Sequence, residues 1–340
     1  MKIIASLCMV LLSATFVKLF CSLANNTRLL VQPNERTLHA KPTVRGSGIV
    51  FIGLWLLSVS FLGLVIDTPF SQQMMLILSG LLLSAISFLD DLMNLSVKIR
   101  LLVQALVSFS LTFYLFPLPL NFLLFTVPEG IVASVFVVAA FIWAINHFNF
   151  MDGLDGFAAI QAFFLLSIYS LIFNHHQAIF YEYVCLMLVA SLVGFLIFNF
   201  PPAKVFMGDV GSATLGLSTF LMGLVAQKYY SVPIIYWFML NGLFLFDATI
   251  TLLRRIVNRE TWYAPHKKHA YQRIKQLGVN SELILSGQVV INAVIVGLVA
   301  CIYFYPQYTL AIVALELVGL SGIYVLIERA YPMTSLQKIA

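Results

Sequence analysis

The chain has 340 residues, of which 61% are hydrophobic and only 10% charged, with a formal net charge of +5. A soluble protein of this length carries about a quarter charged residues, so this composition excludes a soluble globular enzyme. Apolar runs of roughly 17–25 residues recur from end to end, continuous rather than alternating, which excludes a β-barrel and points to membrane-spanning helices.

Apolar segments are predicted at 3–24, 47–66, 72–89, 100–116, 130–146, 157–173, 183–199, 212–226, 232–252, 284–304 and 308–327. They describe an all-α polytopic membrane protein of about eleven transmembrane helices in one domain, 1–340. The first segment has Lys2 ahead of it and no small-residue cleavage site behind it, so it reads as a retained helix rather than a signal peptide. Cys8, Cys21, Cys185 and Cys301 fall in apolar spans without zinc or redox spacing and read as small hydrophobes.

Between spans one and two, VQPNERTLHAKPTVRGSG (31–48) is a turn-rich loop with Arg36, Lys41 and Arg45. Span three closes on Asp90 and Asp91, and span four opens on Lys98 and Arg100. Adjacent carboxylates attract a hard cation such as Mg²⁺, or hold each other's pKa apart for proton transfer. A pair of solvated residues ending a helix is the plain alternative. Span five runs into NHFNFMDGLDGF (146–157), where Asn146, Asn149, Asp152 and Asp155 stand three apart with Gly153 and Gly156 among them. Each step of three drifts about 60° on an α-helix, so the spacing predicts a Gly-broken turn around a ligand rather than one polar stripe.

Span seven is followed by FNFPPAKVFMGDVGSATLG (198–216), with Asp209 between Gly208 and Gly211 at a predicted helix start. Free N–H groups there suit a phosphate or a phosphate-bound metal, although no Gly-Lys-Ser/Thr completes a P-loop. After span nine, RRIVNRETWYAPHKKHAYQRIK (254–275) gathers seven cations with His266 and His269. His-x-x-His can ligate metal, but among so many cations anion binding is favoured, against the plainer reading of a basic loop on anionic lipid. Nucleic acid is not a partner, because this cluster lies against a membrane and no binding module is recognisable. His175 and His176 read as surface residues of an outer loop.

The connections alternate in character. One set is 25–46, 90–99, 147–156, 200–211, 253–283 and the tail from 328. Counting Arg100 at the mouth of span four, it holds 16 of the 19 Lys and Arg. This positive-inside bias makes that set cytoplasmic, the N-terminus external and the C-terminus cytoplasmic. Nine of the 14 acids share that face, where a transporter would place its ionisable groups near the midplane. Acids for Mg²⁺, glycines that admit phosphates and cations that bind anions on one face describe phosphoryl transfer between a cytosolic donor and a lipid acceptor. The competing reading is a transporter or flippase of an anionic lipid or nucleotide sugar, for which Asp247 and Glu316 are the acids inside spans; a purely structural scaffold leaves the clustered acids unexplained.

PNERTLHAKPTVRGSG, DDLMNLSVKIRLLVQ, NHFNFMDGLDG, FNFPPAKVFMGDVGS and PHKKHAYQR occur in the order seen in the polyprenyl-phosphate N-acetylhexosamine-1-phosphate transferases, the bacterial glycosyltransferase family 4, which this sequence resembles over nearly its whole length. The resemblance implies transfer of a sugar 1-phosphate from a UDP-N-acetylhexosamine to undecaprenyl phosphate, giving a lipid diphosphate sugar and UMP, with Mg²⁺ or Mn²⁺ as cofactor. It makes Asp209 the metal ligand, Asp90 and Asp91 the catalytic carboxylates with His266 and His269, and Asn149, Asp152, Gly153 and Asp155 the nucleotide loop. Asn199 and Phe206 fall near the uridine, and Lys41, Lys98, Lys267 and Lys268 against phosphates. The HKKH form departs from the three consecutive histidines of the phospho-MurNAc-pentapeptide transferases. Like the eleventh span, it resembles the O-antigen and common-antigen branch of the bacterial inner membrane, in lipopolysaccharide synthesis. The family offers homodimers as a precedent, and the sugar stays open among GlcNAc, QuiNAc, FucNAc and others.

Overall fold

The computed structural model describes residues 2–24, 27, 29–31, 42–261, 263–264 and 266–333. Helices form where the apolar runs predict them: α1 (Lys2–Ala24), α2 (Gly48–Val65), α3 (Phe70–Met93), α4 (Val97–Leu115), α5 (Ile131–Phe150), α6 (Phe157–His175), α7 (Ile179–Asn199) and α8 (Gly208–Tyr230). The ninth predicted span is divided into α9 (Ile235–Leu240) and α10 (Gly242–Val257); α11 (Ala270–Gln276) lies in the basic connection, before α12 (Ser281–Phe304) and α13 (Thr309–Ala330). Ten of these helices are long and apolar enough to cross a bilayer. Strand is confined, among the described residues, to two short antiparallel pairs, β1 (Leu30–Val31) with β2 (Thr43–Val44) and β3 (Leu120–Asn121) with β4 (Thr126–Val127). The chain is an all-α, multi-pass membrane protein.

The ninth span corrects the expectation of eleven unbroken helices. It breaks at Asn241–Gly242, and a break inside a bilayer leaves backbone groups that only protein can satisfy. Gln161 of α6 donates to the Leu240 carbonyl at 3.0 Å, and Asn241 Nδ2 lies 2.7 Å from Nε2 of His147 on α5. Two neighbouring helices therefore hold the break.

α8 is the axis of the bundle, with 94% of its apolar window buried against 17% for α1 and for the last span. Its Gly, Ser, Ala and Thr residues let α2, α3, α5 and α6 approach closely, as small residues do in membrane bundles. Large apolar side chains at the periphery, such as Leu64 at 84% and Ile131 at 83% exposure, face outward where lipid lies. All four cysteines are unpaired; Cys185 is buried, whereas Cys8 and Cys301 also face outward.

Long-range bonds sort the connections into the two sets that charge predicts. At one end Lys2 pairs with Glu182 at 2.6 Å, Tyr181 donates to Gln72 at 3.0 Å, and Tyr303 meets His175 at 3.1 Å. At the other, residues 43–48, 90–100, 149–156, 199–212 and 247–276 bond to one another. Two boundaries matter there. α3 runs on to Met93, so Asp90 and Asp91 sit on its last turn, and α5 runs on to Phe150, so Asn146 and Asn149 are helical and only 151–156 turn.

Candidate active site

Three carboxylates from two helices meet at this end. Asp209 occupies the first turn of α8, and Asp90 and Asp91 the last turn of α3. Two arginines bind them together. Arg100 Nη1 lies 2.8 Å from Asp90 Oδ2 and 3.0 Å from Asp209 Oδ2. Arg45 Nε lies 2.7 Å from Asp91 Oδ1, and its Nη2 pairs with Asp209.

The reach of Arg45 is built by backbone. Val44 forms a parallel bridge with Val205, Phe206 N donates to Val44 O at 2.8 Å, and Ser47 N donates to Phe206 O at 3.1 Å. This seam seats residues 43–48 on the segment that leads into Asp209. Burial works against the Arg45 charge, but Asp209 and Asp91 outweigh it and hold the guanidinium pKa above its usual value.

The neighbours Asp90 and Asp91 do different work. Asp91 has a fully enclosed side chain, and besides Arg45 it accepts from Asp209 N at 3.1 Å and Val210 N at 3.2 Å. It caps the α8 N-terminus, satisfying two free amides with a negative charge where the helix dipole favours one. Gly208 must be glycine beside it: φ is +73°, and an added Cβ would lie 2.4 Å from Asp91 Oδ2. Asp90 instead accepts from Leu95 N at 2.7 Å and from Arg100. Asp209, which keeps 15% of its side chain exposed, is the carboxylate that reaches the open crevice, and Asp90 is linked to it through Arg100. That crevice, of about 40 Å³, is lined by Arg100, Gln104, Asn146, Asn149, Phe150 and Asp209 among others.

The turn at 151–156 forms the next wall. Asp152 accepts no hydrogen bond from the described residues, and burial, then the charge of Asp209, pushes its carboxyl pKa well above the usual range. Asp155 accepts from Ala203 N at 3.0 Å, and Asn199 accepts from Gly156 N at 2.9 Å while donating to Val205 O at 2.9 Å. Tyr271 of α11 accepts from Gly153 N at 3.0 Å and donates to Phe150 O at 3.1 Å, tying the turn to the histidine motif.

That motif is anchored from inside the bundle. Asp247 of α10 accepts from Ala270 N at 2.9 Å and Thr251 Oγ1 at 3.0 Å, and lies 3.5 Å from His269 Nδ1. His266 Nδ1 accepts from Lys268 N at 3.2 Å, which leaves Nε2 to carry the proton. Burial, then the charges of His269, Arg255 and Lys268, lowers the His266 pKa to about 3, so the ring is neutral at physiological pH. Lys268 pairs with Glu260 at 2.7 Å.

Residues 73–227 match glycosyl transferase family 4. Over 261 residues the chain is 31% identical to the "Probable undecaprenyl-phosphate N-acetylglucosaminyl 1-phosphate transferase" of Bacillus subtilis (strain 168), covering 74% of this chain and 71% of that one. The chain belongs to glycosyl transferase family 4. The decaprenyl-phosphate N-acetylglucosaminephosphotransferase of Mycobacterium leprae (strain TN) is 27% identical over 90% of this family 4 chain and 86% of its own. The phospho-N-acetylmuramoyl-pentapeptide-transferase of Enterococcus hirae is 32% identical over 50% of this chain and 57% of its own.

Within this family 4 fold, Asp90, Asp91, Asp209, Asn149 and Asp152 lie at one end of the bundle, and Asn149 also donates to Ser212 Oγ at 3.2 Å. Asn199, Asp155 and Phe206 serve the framework: both ends of the Asn199 amide are occupied by backbone, Asp155 holds Ala203, and Phe206 is bonded into the Val44 seam. Lys98 is exposed, two positions before Arg100 and off its face. Lys41 lies outside the described residues. Arg45 and Arg100 are the site residues that the sequence reading mentions only as charge. Their motif positions were the available signal; their pairing across more than 100 residues is visible only in the fold. Among the described residues no group of three His, Cys, Asp or Glu side chains is arranged to hold a metal by itself. Asp209, the carboxylate that lines the crevice, offers a hard oxygen ligand of the kind Mg²⁺ takes when substrate phosphates and water complete its shell.

Proposed function

We propose that the chain transfers an N-acetylhexosamine 1-phosphate from a UDP-sugar to undecaprenyl phosphate at the cytoplasmic face of a bacterial inner membrane, initiating an O antigen or related cell-surface polysaccharide. One observation carries this reading: two carboxylates and two guanidinium groups converge at the membrane-surface ends of buried helices, in a family whose named relatives transfer sugar phosphates to polyprenyl phosphates. The greater share of the chain covered by the N-acetylglucosamine relatives supports that branch over the pentapeptide one.

In the reaction an oxygen of the lipid phosphate attacks the sugar-bearing phosphorus of the donor. The bond from that phosphorus to the bridging oxygen breaks, and UMP leaves with the bridging oxygen and its electron pair. Arg45 and Arg100 stand where the diphosphate charge would be held. Asp90 accepts the proton when the lipid phosphate arrives as its monoanion. The Asp152 turn faces the nucleotide, and the neutral His266 donates through Nε2 to a phosphate oxygen. Asp209 would hold Mg²⁺, which when bound neutralises the diphosphate and stabilises charge on the leaving phosphate.

The test is UMP release from the full-length protein in membranes with undecaprenyl phosphate, Mg²⁺ and a panel of UDP-N-acetylhexosamines beginning with UDP-GlcNAc. Release with at least one donor is expected. Silence with every donor, beside an active control enzyme, refutes the reading.

A further inference from the structure

α10 starts inside the bilayer at the Asn241–Gly242 break, with only the short α9 ahead of it. Its depth and rotation are therefore set by what grips it rather than by a continuing helix. Two polar bonds grip it from α5. Trp143 Nε1 donates to Thr249 Oγ1 at 3.2 Å, and one turn further along α5 His147 Nε2 lies 2.7 Å from Asn241 Nδ2. His147 is fully buried among the rings of Trp143, Phe148 and Trp237, and no acid pairs with it among the described residues. Its Nδ1 lies 2.7 Å from Trp143 O. A carbonyl only accepts, so Nδ1 carries the proton, and Nε2 of the neutral ring is left as the acceptor for the Asn241 amide.

Both of these helices hold the histidine motif. α10 carries Asp247 about one and a half turns from its start, and Asp247 accepts from Ala270 N at 2.9 Å and Tyr271 N at 3.4 Å, beside His269. α5 ends at Phe150, whose ring stacks on His269 with centroids 6.4 Å apart and whose carbonyl accepts from Tyr271 Oη at 3.1 Å. α5, α10 and the motif thus form a closed ring of contacts, and the His147–Asn241 bond is the link that joins α5 to the start of α10. We propose that His147 is a positioning residue for the transfer reaction, an inference that rests on the reaction proposed above. By holding Asn241 it fixes α10 along α5, and α10 through Asp247 fixes where the motif presents His266 to the phosphates. His147 acts through helix position, without touching substrate. Catalytic groups must be held to within about half an ångström. Without the imidazole acceptor the Asn241 amide is left buried and unpaired, and the half-helix shifts to relieve it.

His147→Phe keeps the ring's bulk and removes the acceptor, whereas His147→Gln keeps an acceptor oxygen. In proteoliposomes, His147→Phe should lower kcat about tenfold, the scale of a catalytic group displaced by less than an ångström. The KM for the UDP-sugar should stay within about twofold, and His147→Gln should recover most of the loss. A raised KM at unchanged kcat would mean that His147 acts through the 151–156 turn instead, and overturns the proposal. In a His266→Ala background, His147→Phe should cost less than about twofold, because the group it positions is gone; a further tenfold loss also overturns it. Ser13→Ala removes a buried bond between α1 and α7, from Ser13 Oγ to Ser191 O at 2.5 Å. That variant should melt lower at wild-type kcat; a matching loss of kcat would reduce the His147 effect to general destabilisation and overturn the proposal. Amide exchange reads the same link without turnover. The Ala270 and Tyr271 amides should exchange about tenfold faster in His147→Phe and at the wild-type rate in Ser13→Ala. Unchanged exchange in His147→Phe overturns the proposal, whereas faster exchange in a protein that releases no UMP would keep the link and refute the reaction.

Discussion

At the scale of single residues, Asp90, Asp91 and Asp209 are all carboxylates within one network, yet they should fail differently. Asp209→Ala leaves Arg45 and Arg100 without their shared partner at the crevice, and should cost at least about 10²-fold in kcat, the scale of losing one preorganised electrostatic contact. The protein should stay folded in the membrane; a wild-type rate would remove Asp209 from its role. Asp91→Asn instead strikes the enclosed cap of α8, so the melting temperature should fall together with activity, whereas Asp90→Asn should lose turnover with little change in melting. Equal melting temperatures for the two variants would contradict the division. His266 gives a pH prediction. Its folded pKa, about 3, lies below the unfolded value of about 6.5. Between those values the unfolded chain binds the extra proton, so this contribution to stability is complete above about 6.5 and is lost as pH falls toward 3. His266→Gln should flatten that part of the stability profile. It should also retain more activity than His266→Ala, because a neutral donor suffices; an activity limb near 6.5 that vanishes in His266→Gln would show a charged imidazole at work instead.

At the scale of elements, the 151–156 turn and α11 are joined through one hydroxyl. A Cβ on Gly153 would lie 2.3 Å from Tyr271 Oη, so Gly153→Ala must push Tyr271 away from Gly153 N and Phe150 O. Each lost bond is worth about 1 kcal/mol, and the donor KM should rise about tenfold. Tyr271→Phe removes the bonds and also the obstructing oxygen, so the double variant should be less impaired than the sum of the singles; strict additivity would show that the two positions are uncoupled. Neither the clash nor the tie is legible in the sequence, where 118 residues separate the partners. The long helices are legible because uninterrupted apolar length is itself what a bilayer selects. The broken ninth span escaped that criterion because Asn241–Gly242 sits inside a run hydrophobic enough to pass as one helix; the Asn-Gly pair, a turn signal, was the clue. α11 escaped because seven residues among cations show no apolar periodicity, and its helix is fixed from outside by Asp247. For the site, the residue types and the shared face were legible. The arginine pairing was not, since any of several nearby cations could have served until the Val44–Val205 seam chose Arg45.

At the scale of the molecule, the last span closes a circuit from the periphery to the active site. Arg273, in the HAYQR motif, is fully buried, and its Nε and Nη2 have no partner among the described residues. Its charge is met by Glu328 of α13 at 2.5 Å, which also takes Arg254 through two bonds at 2.6 and 2.8 Å, while Tyr324 presents its ring to both guanidinium groups. α13 thereby holds α11, and α11 holds the 151–156 turn through Tyr271. Removing Glu328 strands a buried cation. The cost should be about 2–3 kcal/mol, below that of breaking a fully buried pair because 27% of the Glu328 side chain is exposed. Glu328→Gln should therefore lower the melting temperature in detergent and raise the donor KM, with Glu328→Asp recovering part of both. Arg329→Gln, an exposed neighbour on the same helix, should do neither. A donor KM that stays put in Glu328→Gln while melting falls would make the last span a stabilising helix without a hold on the site.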